Sequence, residues 1–285
     1  MNELKILAKP NYTLLAIMAA LVAIHFTVLF KSATNSNIAS LHCLLFVGIA
    51  SLIWEERQNI EVHSKPLETL IGIILIGWIL LRTVSPVGYQ INVAPLVWGL
   101  GICLLVNGYS ALRKYRKELI LLSLTALYPL VASLLTMAGI TESTAKTSSF
   151  LLWATGFHVH REGVIINLPK GKVEVLGACA GIDAMLLMLT VNIMFFILIP
   201  LKLKDKVVSL IVAGLISFLL NSIRIAILAL MADAGDMNSF EYWHGGEGSL
   251  VFSFISVAIF GTFCWLFYVR KIIQEKSSED AEDIN

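Results

Sequence analysis

Apolar residues run unbroken for about twenty positions at a time along most of this chain, and those runs dominate its pattern. A helix needs about 20 apolar residues to cross roughly 30 Å of hydrocarbon. Eight segments meet that length: Tyr12–Phe30, Ile38–Trp54, Leu67–Val87, Ile91–Ser110, Leu119–Ile140, Ile182–Leu201, Val207–Met231 and Leu250–Val269. The third is the weakest, interrupted by Arg82, Pro86 and Gly88. The first follows Lys5 and Lys9 as a signal peptide would, but it is too long and lacks a small-residue cleavage site, so it reads as an uncleaved span. The pattern predicts an all-α polytopic membrane protein with one integral domain over 1–273 and a polar, acidic, disordered cytoplasmic tail over 274–285.

Two longer connections break the rhythm, 141–181 and 233–249. In the first, Val164 to Leu168 alternates with the period of a strand, Pro169-Lys170-Gly171-Lys172 reads as a turn, and Val173-Glu174-Val175 returns. This predicts a small β-hairpin before the sixth span. Ahead of it, Thr147–Phe157 carries Phe150, Leu151, Leu152, Trp153 and Phe157, the makings of a short interfacial helix.

Charge then orients the chain. With the N-terminus in the cytoplasm, 14 of the 21 Lys and Arg fall on cytoplasmic segments, six on outer ones, and Arg224 within a span. Both termini are therefore expected inside the plasma (inner) membrane, with the two long connections, and the hairpin with them, extracytoplasmic. Composition agrees with a membrane protein: 57% hydrophobic and 14% charged residues, against about 25% charged in soluble domains, with a mean hydropathy of +0.80. Such a composition excludes a disordered chain, a coiled coil, collagen and a disulfide-stapled module. A net charge of +1 and the lack of a basic stripe argue against a nucleic-acid partner.

Few residues in this apolar chain can carry chemistry. An arginine in a membrane span is costly. Arg224 lies 17 residues after Val207, about 25 Å along the helix, near the outer edge of the hydrocarbon. Ser217, Asn221 and Arg224 fall at i, i+4 and i+7 and form a polar stripe suited to a bundle interior. Two readings stand: a side chain snorkelling to the headgroups, or a fixed cation aimed at developing negative charge. Cys179, within Gly177-Ala178-Cys179-Ala180-Gly181, is flanked by small residues and precedes a helix start, which favours a nucleophilic thiolate; alone it reads equally as a core cysteine. Of the other cysteines, Cys103 and Cys264 are mid-span packing, and Cys43 lies near the outer face. His244, in Glu241-Tyr242-Trp243-His244-Gly245-Gly246-Glu247, titrates in the range useful for proton transfer, with Glu241 or Glu247 available to orient it; a lone loop histidine is also common without a role. Asp183, four residues after Cys179, supports it or caps the helix.

Together Cys179, Arg224 and His244 fall at one membrane level and make a complete acyl-transfer set of nucleophile, cation for the oxyanion and acid/base. His158 and His160 supply two metal ligands at most, so neither a metal nor a cofactor is expected. Glu55-Glu56-Arg57 reads as a solvated helix end.

At these residues the sequence resembles the exosortase/archaeosortase family of multi-span membrane cysteine proteases and transpeptidases. The resemblance lies between Gly163 and Val251. Gly163 to Pro169 with Val175 is similar to the family's hairpin, Ala178-Cys179-Ala180-Gly181-Ile182 to its Cys-Ser-Gly-Ile element with alanine for serine, and Asn221-Ser222-Ile223-Arg224 to its Asn-x-x-Arg element. His244 stands at the place of its loop histidine. The resemblance implies secreted substrates that end in a sorting signal: a short motif, one transmembrane helix and a basic tail. These would be cleaved above the helix through a Cys179 acyl-enzyme. The acceptor nucleophile stays open. Two rivals from other classes remain, a transporter with Arg224 in an anion site and a non-catalytic assembly protein of the same fold.

Overall fold

The computed structural model describes residues 10–32, 36–58, 60, 63–84, 88–177 and 179–274. Lys5, Lys9 and the acidic tail beyond 274 lie outside them. The chain divides into two compact units, Met1–Ser133 and Leu134–Asn285.

The regular elements described in the first unit are all helices: α1 (Pro10–Lys31), α2 (Ser36–Glu56), α3 (Pro66–Arg82), α4 (Gly88–Lys114) and the start of α5 (Arg116–Met137). Small residues bring α3 and α4 together. A Cβ at Gly72 would stand 2.7 Å from the Gly101 carbonyl oxygen, and one at Gly101 would stand 3.0 Å from that of Gly72. The backbone of α4 leaves helical geometry at Asn107 and Gly108 (φ +56), and the Glu68 carboxylate fills the place a Cβ would take there. Between α1 and α2, His25 Nε2 meets His42 Nδ1 at 2.7 Å, inside a wall of Phe26, Phe46 and Trp98.

The second unit opens with the last residues of α5, and Gly139, with a φ of +76°, separates that helix from the next. Helix α6 (Ile140–Ala154) begins seven residues earlier than the aromatic pattern predicts. Its aromatic side chains point outward, Phe150 at 59% and Trp153 at 66% exposure, while Thr144, Ala145, Ser148 and Leu152 are buried. The hairpin is present as β2 (Ile165–Asn167) and β3 (Lys172–Glu174), with an additional strand β1 (His160–Glu162) making an antiparallel sheet in the order β1-β2-β3. The register pairs Arg161 with Ile166 and Ile166 with Val173, and the alternation puts Ile166, Val173 and Val175 on the buried face. The turn is anchored: Asp233 Oδ1 accepts from Lys170 N at 2.7 Å and Gly171 N at 3.1 Å. A side chain at Gly171 would meet the Ala232 backbone at 2.6 Å, so the turn lies flat on the helix carrying Asp233.

Four helices complete this unit: α7 (Ile182–Leu198), α8 (Leu203–Ala234), α9 (Met237–His244) and α10 (Gly246–Cys264), which runs into a π-helical turn at Trp265–Val269. Asn192 on α7 and Ser209 on α8 hydrogen-bond at 3.2 Å and hold the two together. The predicted loop 233–249 is largely helical instead. Asp236 caps α9 by accepting from Ser239 N at 3.1 Å, and α10 starts directly after Gly245.

Among the described residues, six helices are long and apolar enough to cross a membrane: Tyr12–Lys31, Ile38–Glu56, Gln90–Lys114, Arg116–Met137, Leu203–Ala234 and Gly248–Gln274. The chain is an integral membrane protein. Helices α3 and α7 correspond to the other two predicted segments, but at 17 residues each they reach only about 26 Å.

Candidate active site

Three short stretches of the second unit converge. The residues after β3 coil into a turn in which the amides of Cys179 and Ala180 both donate to the Leu176 carbonyl at 2.9 Å. This turn delivers Cys179 to the N-terminal end of α7. Gly181 makes the entry possible: its φ is +86°, and a Cβ there would lie 2.6 Å from the Asn221 side chain. Helix α8 contributes Asn221 and Arg224, and the C-terminus of α9 contributes His244.

The Cys179 Sγ lies 2.8 Å from His244 Nε2. Cys179 is buried, at 9% exposure, whereas His244 faces open space and stacks on Phe240 one turn earlier, with ring centroids 5.3 Å apart. Arg224, 7% exposed, spends its guanidinium on the backbone that carries this histidine. Its Nε donates to the Trp243 carbonyl at 3.2 Å and its Nη2 to the His244 carbonyl at 2.7 Å, while Nη1 reaches Asn221 Oδ1 at 3.4 Å. Asn221 closes the circuit by donating through Nδ2 to the Cys179 carbonyl at 3.0 Å. Nucleophile and imidazole are thus fixed to one helix by a chain of hydrogen bonds.

Electrostatics favour a neutral pair at rest. Burial pushes the Cys179 thiol up; the Arg224 cation opposes this and the Asp183 carboxylate adds to it. Burial and the Arg224 charge together push the His244 imidazole down. A thiol that holds its proton beside an imidazole with a free lone pair is arranged for proton transfer as attack begins.

Of the residues singled out from sequence, Cys179, Arg224, His244 and Asn221 come together. Asp183 sits in the first turn of α7, and its charge acts on both Cys179 and Arg224. Ser217 does not join: it is buried and donates to the Gly214 carbonyl of its own helix at 3.1 Å. The exposed Glu241 carboxylate has no hydrogen-bond partner among the described residues, and the Glu247 side chain lies outside them. Orientation of the imidazole comes from Phe240 and from the grip on its own carbonyl. His158 and His160 are exposed, His160 lying 3.4 Å from Glu162, and no group of three metal-ligating side chains occurs among the described residues.

Residues that the sequence did not single out also contribute. Thr144 on α6, fully buried, donates to the Ala180 carbonyl at 3.0 Å. Ser148, one turn on, reaches the Ser222 carbonyl of α8 at 2.9 Å. The only trace in the sequence is their i, i+4 spacing on the face opposite the aromatic residues.

The family model described as transmembrane exosortase (Exosortase_EpsH) matches residues 32–261. No curated protein and no solved structure matches the chain. With that match covering most of the sequence, the chain belongs to the transmembrane exosortase family, a family of membrane cysteine proteases and transpeptidases.

Proposed function

We propose that this protein is a membrane-embedded cysteine protease or transpeptidase that cleaves the C-terminal sorting signal of secreted proteins. The observation that carries this reading is the 2.8 Å contact between Cys179 Sγ and His244 Nε2, with Arg224 bound to the same segment. As Sγ bonds to the scissile carbonyl carbon, the thiol proton passes to His244 Nε2. Negative charge on the carbonyl oxygen is countered by Arg224, whose guanidinium commits three of its five N–H groups to the protein. Collapse breaks the C–N bond, and the imidazolium gives its proton to the departing amine. The thioester left on Cys179 is resolved by an acceptor amine or by water, whose proton returns through His244 to the thiol.

The arrangement in the membrane belongs to the same reading. Eight spans, counting the shorter α3 and α7, put both termini in the cytoplasm and Cys179, His244 and the sheet on the extracytoplasmic side. A substrate helix lying against the bundle then presents the residues above its outer end to Cys179. The lipid around the bundle and the substrate's own helix are the expected partners.

Coexpression with candidate substrates carrying motif, helix and basic tail tests this by mass spectrometry. Wild type is expected to cleave above the helix, and Cys179→Ala to leave the substrate intact. Mass added at the new C-terminus identifies the acceptor. Intact substrates alongside folded wild-type protein would sink the enzymatic reading in favour of an anion site at Arg224 or a scaffold.

A further inference from the structure

Asp233 stands in the last turn of α8, where a negative charge meets the negative end of the helix dipole and is unfavourable for the helix itself. What it gains lies outside the helix. Its Oδ1 accepts from Lys170 N at 2.7 Å and from Gly171 N at 3.1 Å, so one oxygen takes both amides at the tip of the β2–β3 hairpin. The tip rests on backbone there: a Cβ at Gly171 would stand 2.6 Å from the Ala232 carbonyl and from the Asp233 nitrogen.

The hairpin has a second fixed point on the same helix. β3 packs on α8 with Val173 and Val175 buried, and Val175 N donates to the Val164 carbonyl at 3.0 Å. The chain then turns into Cys179, whose carbonyl accepts from Asn221 Nδ2 at 3.0 Å. Asn221 lies 12 residues before Asp233, about 18 Å along α8. The strand that delivers the nucleophile is therefore tied at both ends to one helix. The arm that delivers the imidazole is tied to it as well. Gly235, at φ +75°, turns the chain out of α8, Asp236 caps α9, and Arg224 holds the Trp243 and His244 carbonyls at the far end. The 2.8 Å contact between Cys179 Sγ and His244 Nε2 depends on the slope of both arms. Without the Asp233 tie, the nucleophile's arm is held at its inner end, by Asn221 and Thr144, and can pivot there. We infer that Asp233 is a positioning residue of the cysteine site: by fixing the tip of the hairpin to α8 it sets the Cys179 thiol against the His244 imidazole. This rests on the catalytic reading of those two residues.

The test is alkylation of Cys179 by iodoacetamide at neutral pH in the full-length protein in detergent, followed by mass spectrometry of the peptide that carries it. So small a reagent needs no substrate. His244→Ala should slow the reaction about tenfold or more, because the thiol loses its proton acceptor. An unchanged rate there would overturn the catalytic reading and the role of Asp233 with it. Asp233→Ala should slow alkylation about fivefold or more, and Asp233→Asn, which keeps an oxygen for both amides, should restore it to within about twofold. Gly171→Ala leaves the carboxylate in place but lifts the tip off α8, and should reproduce the loss; it also serves if Asp233→Ala fails to fold. Adding Asp233→Ala to His244→Ala should slow the reaction no further, because the loss acts through the imidazole. Dependence on His244 with wild-type rates in Asp233→Ala and Gly171→Ala would overturn the inference and leave the catalytic reading standing. So would equal slowing by Asp233→Ala with and without His244, which would mean that the hairpin governs access to the thiol.

Discussion

The two units of this protein satisfy their buried polar groups to different degrees. In the second, Thr144, Ser148, Asn192, Asn221, Ser222 and Arg224 are buried, and each has a hydrogen-bond partner. In the first, the Trp98 indole and the Tyr115 hydroxyl have none among the described residues; His42 interacts with the Asn92 side chain, yet neither His42 Nε2 nor Asn92 Oδ1 closes a hydrogen bond of normal geometry. Ser149 is the corresponding exception in the second unit. A fully satisfied network has one low-energy arrangement and holds its members in place, whereas an unsatisfied one leaves the site short of a group. The second unit is built to hold a constellation, and the first leaves part of its buried polar surface unpaired.

The greatest strain on that contrast comes from Arg224→Lys. An ammonium keeps the charge but cannot fork onto the Trp243 and His244 carbonyls while also meeting Asn221. Processing should fall about 10²-fold, the scale of losing a positioned donor at a developing oxyanion. Because the same bonds hold α9, protease digestion of membranes should cut near residues 236–248 faster than in wild type. Normal processing by this variant would mean that charge alone is enough and that the forked contacts are incidental.

Next in size is Thr144→Val, which keeps the shape and removes the donor to Ala180 O. A buried carbonyl left without its donor costs about 1–3 kcal/mol. The expected result is roughly tenfold slower alkylation of Cys179 at fixed pH, restored by Thr144→Ser. Equal alkylation rates in Thr144→Val and wild type would show that Asn221 alone positions the nucleophile.

The pH dependence follows from the two shifts. The lowered His244 keeps its lone pair below the ordinary imidazole value of about 6.5, so the acid limb of kcat/KM should lie below that pH. The raised Cys179 should put the alkaline limb above the ordinary thiol value of about 8.5. Stability carries the same signs. The depressed histidine contributes above its unfolded pKa, a contribution lost as pH falls through the folded value. The raised thiol contributes below its unfolded pKa, a contribution lost as pH rises through the folded value. Both are present together between about 6.5 and 8.5. An acid limb above about 6.5 would mean that burial and the Arg224 charge do not lower the imidazole in the working enzyme.

How much of this was legible in the sequence depended on the cost of each residue where it stood. Arg224 and Asn221 are conspicuous because an apolar helix seldom carries such groups, and Cys179 and His244 because few side chains do their chemistry. Spacing by itself was weaker: Ser217 lies on the same stripe as Asn221 and Arg224 but turns back to its own backbone. Main-chain acceptors were invisible, so nothing in the sequence foretold that Arg224 would hold the carbonyls of Trp243 and His244. Thr144 was hidden because hydroxyls ahead of a hairpin resemble a loop, and α9 because eight residues with one cap give too little periodicity. The aromatic residues of α6 drew attention to the wrong face, since in a membrane protein the outward side is the apolar one.

The smallest expected effect lies in the first unit and tests whether its polar groups are paired locally. His25 and His42 are 5% and 0% exposed, their ring planes differ by 6°, and the centroids stand 4.9 Å apart with a 2.7 Å nitrogen contact. Those distances describe two rings meeting edge to edge through one shared proton, not face to face. Either His25→Leu or His42→Leu leaves the other nitrogen buried without its partner, at a cost of about 1–3 kcal/mol. Replacing both removes the need as well as the means, and the double variant should melt close to wild type, within roughly 1 kcal/mol. Thermal unfolding in detergent reads the four states directly. If the double variant falls by the sum of the two singles, the histidines act separately, and the polar groups of this unit belong to more than one site.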